Sequence, residues 1–295
     1  MEAFLVDRRV QGMAKGTLRF YWQKLKLFSD YCDTQSIDLV NQISANLIRQ
    51  YLVYLEQTSH NPGGKHAAYR ALRAFLNWYE NEAEPEHWGN PIRKVKAPKV
   101  PVERLEPVTN ETIASIIQTC IPNTFSGDRD KAIMLCLLDT GIRASEFTNL
   151  DLGDVDIARG QIVIRQGKGS KPRMVFLGRH SLHYLRKYLR NRTDDCSAVW
   201  VTHPRFNSER LSYDGIRSIL HRRSVDAQVE EPTLHSFRRA FALAMLRNGT
   251  DLYTLARLMG HEGIAMLQRY LKQTSQDTET AHRRAGPVDH SDLFG

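Results

Sequence analysis

The sequence predicts a mainly α-helical chain with one small antiparallel β-sheet, an all-helical domain followed by an α+β domain. Three observations carry this expectation. Apolar residues recur at helical spacing over residues 14–90. The one clear group of strand signals lies between Val155 and Leu177. A basic stretch punctuated by prolines separates the two regions. The 295 residues suffice for two domains of ordinary size.

In the first region Leu18, Tyr21, Leu25 and Phe28 form one apolar stripe. Leu47, Tyr51, Leu52 and Leu55 form a second, and Ala68, Leu72, Phe75 and Tyr79 a third. Steps of three and four residues put each set on one helix face. Residues 1–90 therefore read as a small bundle whose aromatic residues serve its core. Ser44 is expected to cap the second helix. Asn61, Pro62, Gly63 and Gly64 are expected to break the chain before the third. Residues 91–106 read as an extended linker, with Arg93, Lys94, Lys96, Lys99 and Arg104 set among Pro91, Pro98 and Pro101. Such a linker can lie along a phosphate backbone or stay solvated and touch nothing.

Residues 107–285 read as the second domain. A helix over about 128–139 carries Ile133, Met134, Leu137 and Leu138, and Gly141 stops it. Three strand segments follow: Val155 with Ile157, Gln161 to Gln166, and Arg173 to Leu177. The last two flank a Gly-rich hairpin turn, Gly167-Lys168-Gly169-Ser170-Lys171. Helices are expected at about 181–191, 213–223, 234–248, 251–259 and 264–273. Leu211 and Ile216 fit a hydrophobic staple around Ser212. Residues 286–295 form a polar tail, expected to be weakly ordered in an isolated monomer.

The charged and apolar contents, 25% and 41%, are those of a folded soluble chain, and no apolar run reaches membrane length. The first ten residues, with Glu2, Asp7, Arg8 and Arg9, do not read as a signal peptide. Cys32, Cys120, Cys136 and Cys196 are far apart and form no Cys-x-x-Cys pair. That suggests neither a zinc ribbon nor a disulfide framework and suits a reducing, cytoplasmic setting. The net charge of +8 favours a polyanionic partner. The basic residues are unevenly spread. Residues 1–90 balance ten basic against ten acidic residues, yet Lys15, Arg19, Lys24 and Lys26 run without an interposed acid. Candidate contacts to such a polyanion are Lys15, Arg19, Lys24, Lys65, Arg70, Arg73, Lys94, Lys96, Lys99 and Lys171.

Four local patterns carry chemistry. After Gly141, Arg143 is followed three residues on by Glu146, which can brace its guanidinium and leave a fork for phosphate. The same spacing also occurs as an ordinary helical surface pair. Lys168 sits at the hairpin tip, where it could protonate a leaving alkoxide or be a plain exposed turn residue. Thr233 caps a helix whose first turn holds His235 and Arg238 on one face, with Phe237 and Phe241 facing the core. That is a favourable anion site. Gly260 ends a helix and leaves His261 at the junction; Tyr270 follows nine residues later. Taken alone, Tyr270 reads as a half-buried packing residue.

In this order, Arg with Glu three on, a hairpin Lys, His-x-x-Arg, Gly-His and a later Tyr, the sequence resembles the tyrosine recombinase (phage integrase) family over nearly its whole length. It departs from the family at Phe147, usually a smaller aliphatic residue. Arg239 and Ala240 stand where many members have His and Thr, and Leu267 where Thr is common. No catalytic group is lost.

The resemblance implies a helical core-binding domain and an α+β catalytic domain clamping double-stranded DNA. It implies Tyr270 as the nucleophile that forms a 3′-phosphotyrosyl bond and frees a 5′-hydroxyl. Arg143 and Arg238 would hold the non-bridging oxygens. His235 and His261 would assist there or help deprotonate Tyr270. Lys168 would protonate the leaving oxygen, and Glu146 would hold Arg143. No metal and no ATP is implied, since the phosphotyrosine conserves the bond energy. Strand exchange would pass through a Holliday junction in a DNA-bound tetramer, with the tail from about Thr278 docking on a neighbouring protomer. The short chain leaves little room for an arm-binding domain before the bundle. That favours a simple recombinase of the Xer, transposon or integrative-element kind. A tail unlike that of the Xer proteins turns the expectation to a mobile-element integrase, with Xer-like chromosome or plasmid dimer resolution as the alternative. A type IB topoisomerase-like enzyme and a catalytically silent DNA-binding protein are further alternatives.

Overall fold

The computed structural model describes residues 1–58, 60–100, 106–165, 172–260, 279, 282 and 283. The chain divides into two units, Met1–Arg104 and Leu105–Gly295.

The first unit is built from helices α1 (Glu2–Val10), α2 (Lys15–Thr34), α3 (Ala45–Gln57) and α4 (Pro62–Ala83). The three expected apolar stripes supply its core, with Leu25, Phe28, Leu47, Tyr51, Leu55, Ala68, Leu72 and Phe75 all buried. Helix α1 lies ahead of the region expected to be helical. Its single buried residue, Phe4, packs edge-on against Tyr21, Phe75 and Trp78. One anchor in nine residues leaves no periodic signal.

Two expectations are corrected here. Asn61 to Gly64 do not interrupt the chain but start α4. The Asn61 side chain accepts from the Gly64 N–H at 2.7 Å, and Pro62 occupies a first-turn position where no N–H is needed. The stretch read as linker from residue 91 belongs to the bundle as far as Val95. Pro91–Lys94 form a 3-10 turn, and Ile92 and Val95 are buried in the core. The Tyr69 hydroxyl donates to the Val95 carbonyl (2.9 Å) and Arg49 to that of Lys94 (2.8 Å). Two apolar residues among the lysines were enough to draw the chain inward.

In the second unit α5 (Asn110–Gln118) and α6 (Phe125–Thr140) precede the short helix α7 (Ala144–Thr148). Strands β1 (Val155–Asp156), β2 (Gln161–Ile164) and β3 (Arg173–Phe176) form an antiparallel sheet in the order β1-β2-β3, with Ile162 opposite Val175. Helices α8 (Arg179–Arg190), α9 (Tyr213–Ala227), α10 (Leu234–Arg247) and α11 (Leu252–Met259) follow, close to the expected ranges. The helix expected at 264–273, and the 286–295 tail, lie outside the described residues.

Helix α6 runs through the core, packed against α8 and α10, with Ala132, Ile133, Met134, Cys136 and Leu137 buried. Its first turns also bury charge, but paired. Asp130 is fully enclosed and accepts from Arg129 and Arg223 at 2.8 and 2.9 Å. Asp128 meets Lys187 at 2.9 Å. Such pairs survive burial because each carboxylate is met by several donors. Helix α6 stops where expected, at Gly141 in the left-handed region (φ 56°), against the buried Phe241 ring.

Candidate active site

The turn after Gly141 delivers Arg143 to the N-cap of α7. One Glu146 carboxylate oxygen accepts from the Arg143 backbone N–H at 2.8 Å, and the other accepts from its guanidinium at 3.0 Å. Glu146 is thus cap and brace at once. Phe147 explains how so short a helix is held. It is buried and stacks on Trp200, with centroids 4.7 Å apart, and Trp200 stacks on Tyr188 at 5.7 Å. The larger side chain at this position fills space over a tryptophan.

Helix α10 delivers the second arginine. Thr233 caps it, accepting from the Ser236 N–H at 3.1 Å. His235 in the first turn is exposed, whereas Arg238 is only 3% exposed, and Phe237 and Phe241 enter the core as expected. Arg238 donates to the Gly141 carbonyl at 2.6 Å and to the Met259 carbonyl at 2.7 Å.

A third arginine, not anticipated from the sequence, completes the group. Arg173 at the start of β3 donates through both terminal nitrogens to the two oxygens of Glu146, at 2.9 and 2.6 Å. Its Nε donates to the Leu258 carbonyl at 2.9 Å. Arg143 in turn donates to the Gly260 carbonyl at 2.6 Å. Three guanidiniums therefore take three successive carbonyls, Leu258, Met259 and Gly260, at the C-terminal end of α11. Those carbonyls lack partners within the helix and carry the negative end of its dipole.

The electrostatics favour an anion. Burial pushes the Glu146 carboxyl up, but the hydrogen bonds and charges of Arg173 and Arg143 outweigh it, so the group lies below the ordinary carboxylate range. Ionised Glu146 offsets one of the three guanidinium charges. Arg143 keeps the most open side chain, 37% exposed against 9% for Arg173. The site can thus offer a positively charged fork at its surface while its supports stay buried.

Arg143, Glu146 and Arg238 lie together around Gly141 and the end of α11. Lys168, Lys171, His261 and Tyr270 lie outside the described residues. Among the described residues no group of three or more His, Cys, Asp or Glu side chains could hold a metal. No described helix is long and apolar enough to cross a membrane.

The basic candidates of the first unit line several surfaces. Lys15 and Arg19 are exposed on α2, with Trp22 (50% exposed) and Lys26 continuing the same face at helical spacing; Lys24 is partly buried. Arg70 and Arg73 are exposed on α4, and Lys94, Lys96 and Lys99 beyond it. Lys65 is engaged by Glu56 at 2.9 Å.

Residues 106–277 match the phage integrase family. The chain is 28% identical over 289 residues to the tyrosine recombinase XerA of Thermococcus kodakarensis, covering 98% of this chain and 96% of that one. It is 29% identical over 283 residues to the tyrosine recombinase XerC of Oceanobacillus iheyensis, covering 92% and 90%. In fold it is similar to the Tn1549 transposon integrase in complex with transposon right end DNA (TM-score 0.73, 14% identity, 97% of this chain and 99% of that one). It is also similar to a lambda integrase dimer bound to a core site (TM-score 0.70, 18% identity, 90% and 96%). Taken with the arginine-lined site, these matches define a DNA breaking-rejoining enzyme. The chain belongs to the phage integrase family, the tyrosine recombinases.

Proposed function

We propose that this chain carries out site-specific recombination of double-stranded DNA through a 3′-phosphotyrosyl intermediate. The observation that carries the reading is the convergence of Arg143 and Arg238, from separate helices, on the C-terminal end of α11. A scissile phosphate entering there exchanges carbonyl contacts for stronger, fully charged ones.

In this reading the Tyr270 oxygen attacks phosphorus and the bond to the 5′-oxygen breaks. A free tyrosine is a poor nucleophile near neutrality, with a pKa of about 10. His235 or His261 helps remove its proton, and Lys168 supplies one to the leaving oxygen. Arg143 and Arg238 hold the non-bridging oxygens as charge builds. The bond energy stays in the phosphotyrosine, so neither metal nor ATP enters the step. A second 5′-hydroxyl resolves the adduct, strands exchange through a Holliday junction, and four protomers act together on synapsed DNA in the cytoplasm. Residues 1–95 serve as the core-binding domain, residues 107–285 as the catalytic domain, and the tail from about Thr278 docks on a neighbour.

The test is covalent capture. Nicked duplexes with a randomised core are incubated with the protein, and adducts resistant to denaturant are isolated and sequenced. Wild-type protein should trap a defined sequence class. Tyr270→Phe should trap none while still shifting the selected duplex in a binding assay. An adduct formed by Tyr270→Phe would show that the nucleophile has been misassigned.

The biological role we propose is that of a mobile-element integrase. Xer-like dimer resolution is the second reading, supported by the near end-to-end matches to XerA and XerC. Capture from the source genome separates them. Sites at both ends of a movable segment favour the integrase, and one site per replicon favours the resolvase.

A further inference from the structure

We propose that Arg173 is a positioning residue for strand cleavage, holding Glu146, and through it Arg143, in register with the end of α11. The inference rests on the recombinase reading above and deepens it.

The geometry separates Arg173 from an ordinary surface cation. Its side chain is 9% exposed and all three of its guanidinium nitrogens are engaged, two on the Glu146 carboxylate and one on the Leu258 carbonyl. It shares the inner face of β3 with buried Val175, where a charge is costly unless fully partnered. It joins three pieces of chain distant in sequence: β3, the start of α7 and the last turn of α11. The fit is close enough to constrain the neighbouring backbone. Gly260 adopts φ 64°, and a β-carbon there would lie 2.8 Å from the Arg173 guanidinium.

The chemical consequence concerns charge. With Glu146 and Arg143 alone, the carboxylate would cancel the charge meant for phosphate. Arg173 takes up that carboxylate in a bidentate fork, so Arg143 is braced without being neutralised. The charged groups facing Glu146 are Arg143 from its own helix start and Arg173 from β3, with Arg238 of α10 beyond the Gly141 and Met259 carbonyls.

Arg173→Ala and Arg173→Lys test this on the nicked duplex selected by the wild-type chain, with single-turnover adduct formation, duplex affinity and thermal unfolding measured in parallel. Arg173→Ala should slow adduct formation roughly 10- to 100-fold at saturating DNA while affinity changes little. Arg173→Lys, which keeps the charge but not the fork, should recover only part of the rate; it also serves if the alanine variant does not fold. Glu146 loses a guanidinium in Arg173→Ala, so its carboxyl rises, and adduct formation should fail at mildly acidic pH where the wild-type rate holds. In a Glu146→Gln background the effect of Arg173→Ala should shrink, because the two act as one unit.

Equal rates for Arg173→Ala and wild type overturn the proposal. So does a loss that is fully additive with Glu146→Gln and leaves the pH profile in place, since that marks a structural role. Absence of any adduct from wild type would instead overturn the recombinase reading itself.

Discussion

Replacing Glu146 by glutamine preserves the shape of its side chain and removes its charge, which isolates what the carboxylate does for the arginines around it. The carboxylate is 2% exposed and accepts four hydrogen bonds, from the Arg143 backbone, one Arg143 nitrogen and two Arg173 nitrogens. In the Glu146→Gln variant an amide NH2 group faces those donors, and the nearly buried Arg173 loses its counter-charge. Breaking a buried pair by removing one partner costs about 3–5 kcal/mol. The low end applies because Arg143 is 37% exposed, so water can partly replace its contact. A loss of ~3 kcal/mol lowers the unfolding midpoint of a unit this size by about 6–12 °C. Urea unfolding followed by circular dichroism at pH 7 measures the difference. The pH dependence adds a sign. The folded pKa of Glu146 is depressed, so its stabilisation is complete above the unfolded value of about 4.3 and is lost as pH falls through the folded value. The gap between wild type and Glu146→Gln should close on acidification. A gap below ~1 kcal/mol at pH 7 would refute the reasoning, since the arginines would then be held by other contacts.

Two further outcomes follow from the same geometry. Gly260→Ala forces a β-carbon into the left-handed region and against Arg173; it should lower the stability of the second unit by about 1–2 kcal/mol in urea unfolding and slow adduct formation. Lys96→Ala with Lys99→Ala removes two exposed cations beyond the bundle and should reduce the salt slope of duplex affinity by roughly 2, without changing which sequence is selected.

The parts of the site written in local spacing were legible in the sequence. Glu146 reaches Arg143 across three residues, and Thr233 fixes the helix start that orients Arg238. Arg173 was not legible in that way, because its partners lie 27 and 85 residues away. A weaker signal was present. Strand alternation puts Arg173 on the same side as Val175 and Leu177, both buried, and an arginine facing a core calls for a carboxylate. Similarly, the lysines and prolines around Ile92 and Val95 concealed two core residues, and α1 offered Phe4 as its only fully buried residue. Each omission involved one or two residues whose burial depends on a distant part of the chain.

The arrangement at the end of α11 also bears on why the site is stable before DNA arrives. Three guanidiniums at one helix end, with a single carboxylate held by two of them, carry excess positive charge, which a folded chain must offset. The carbonyls of Leu258, Met259 and Gly260 do so, since a helix C-terminus presents about half an elementary negative charge and unpaired acceptors. They hold the arginines in position at modest strength. A phosphate carries a full charge and more acceptor oxygens, so it competes well for Arg143, the most exposed of the three. Arg173, enclosed and already satisfied by Glu146, has little reason to move. The same helix end can therefore shelter the arginines in the free protein and yield Arg143 to the substrate, while Arg173 and Glu146 keep the geometry fixed.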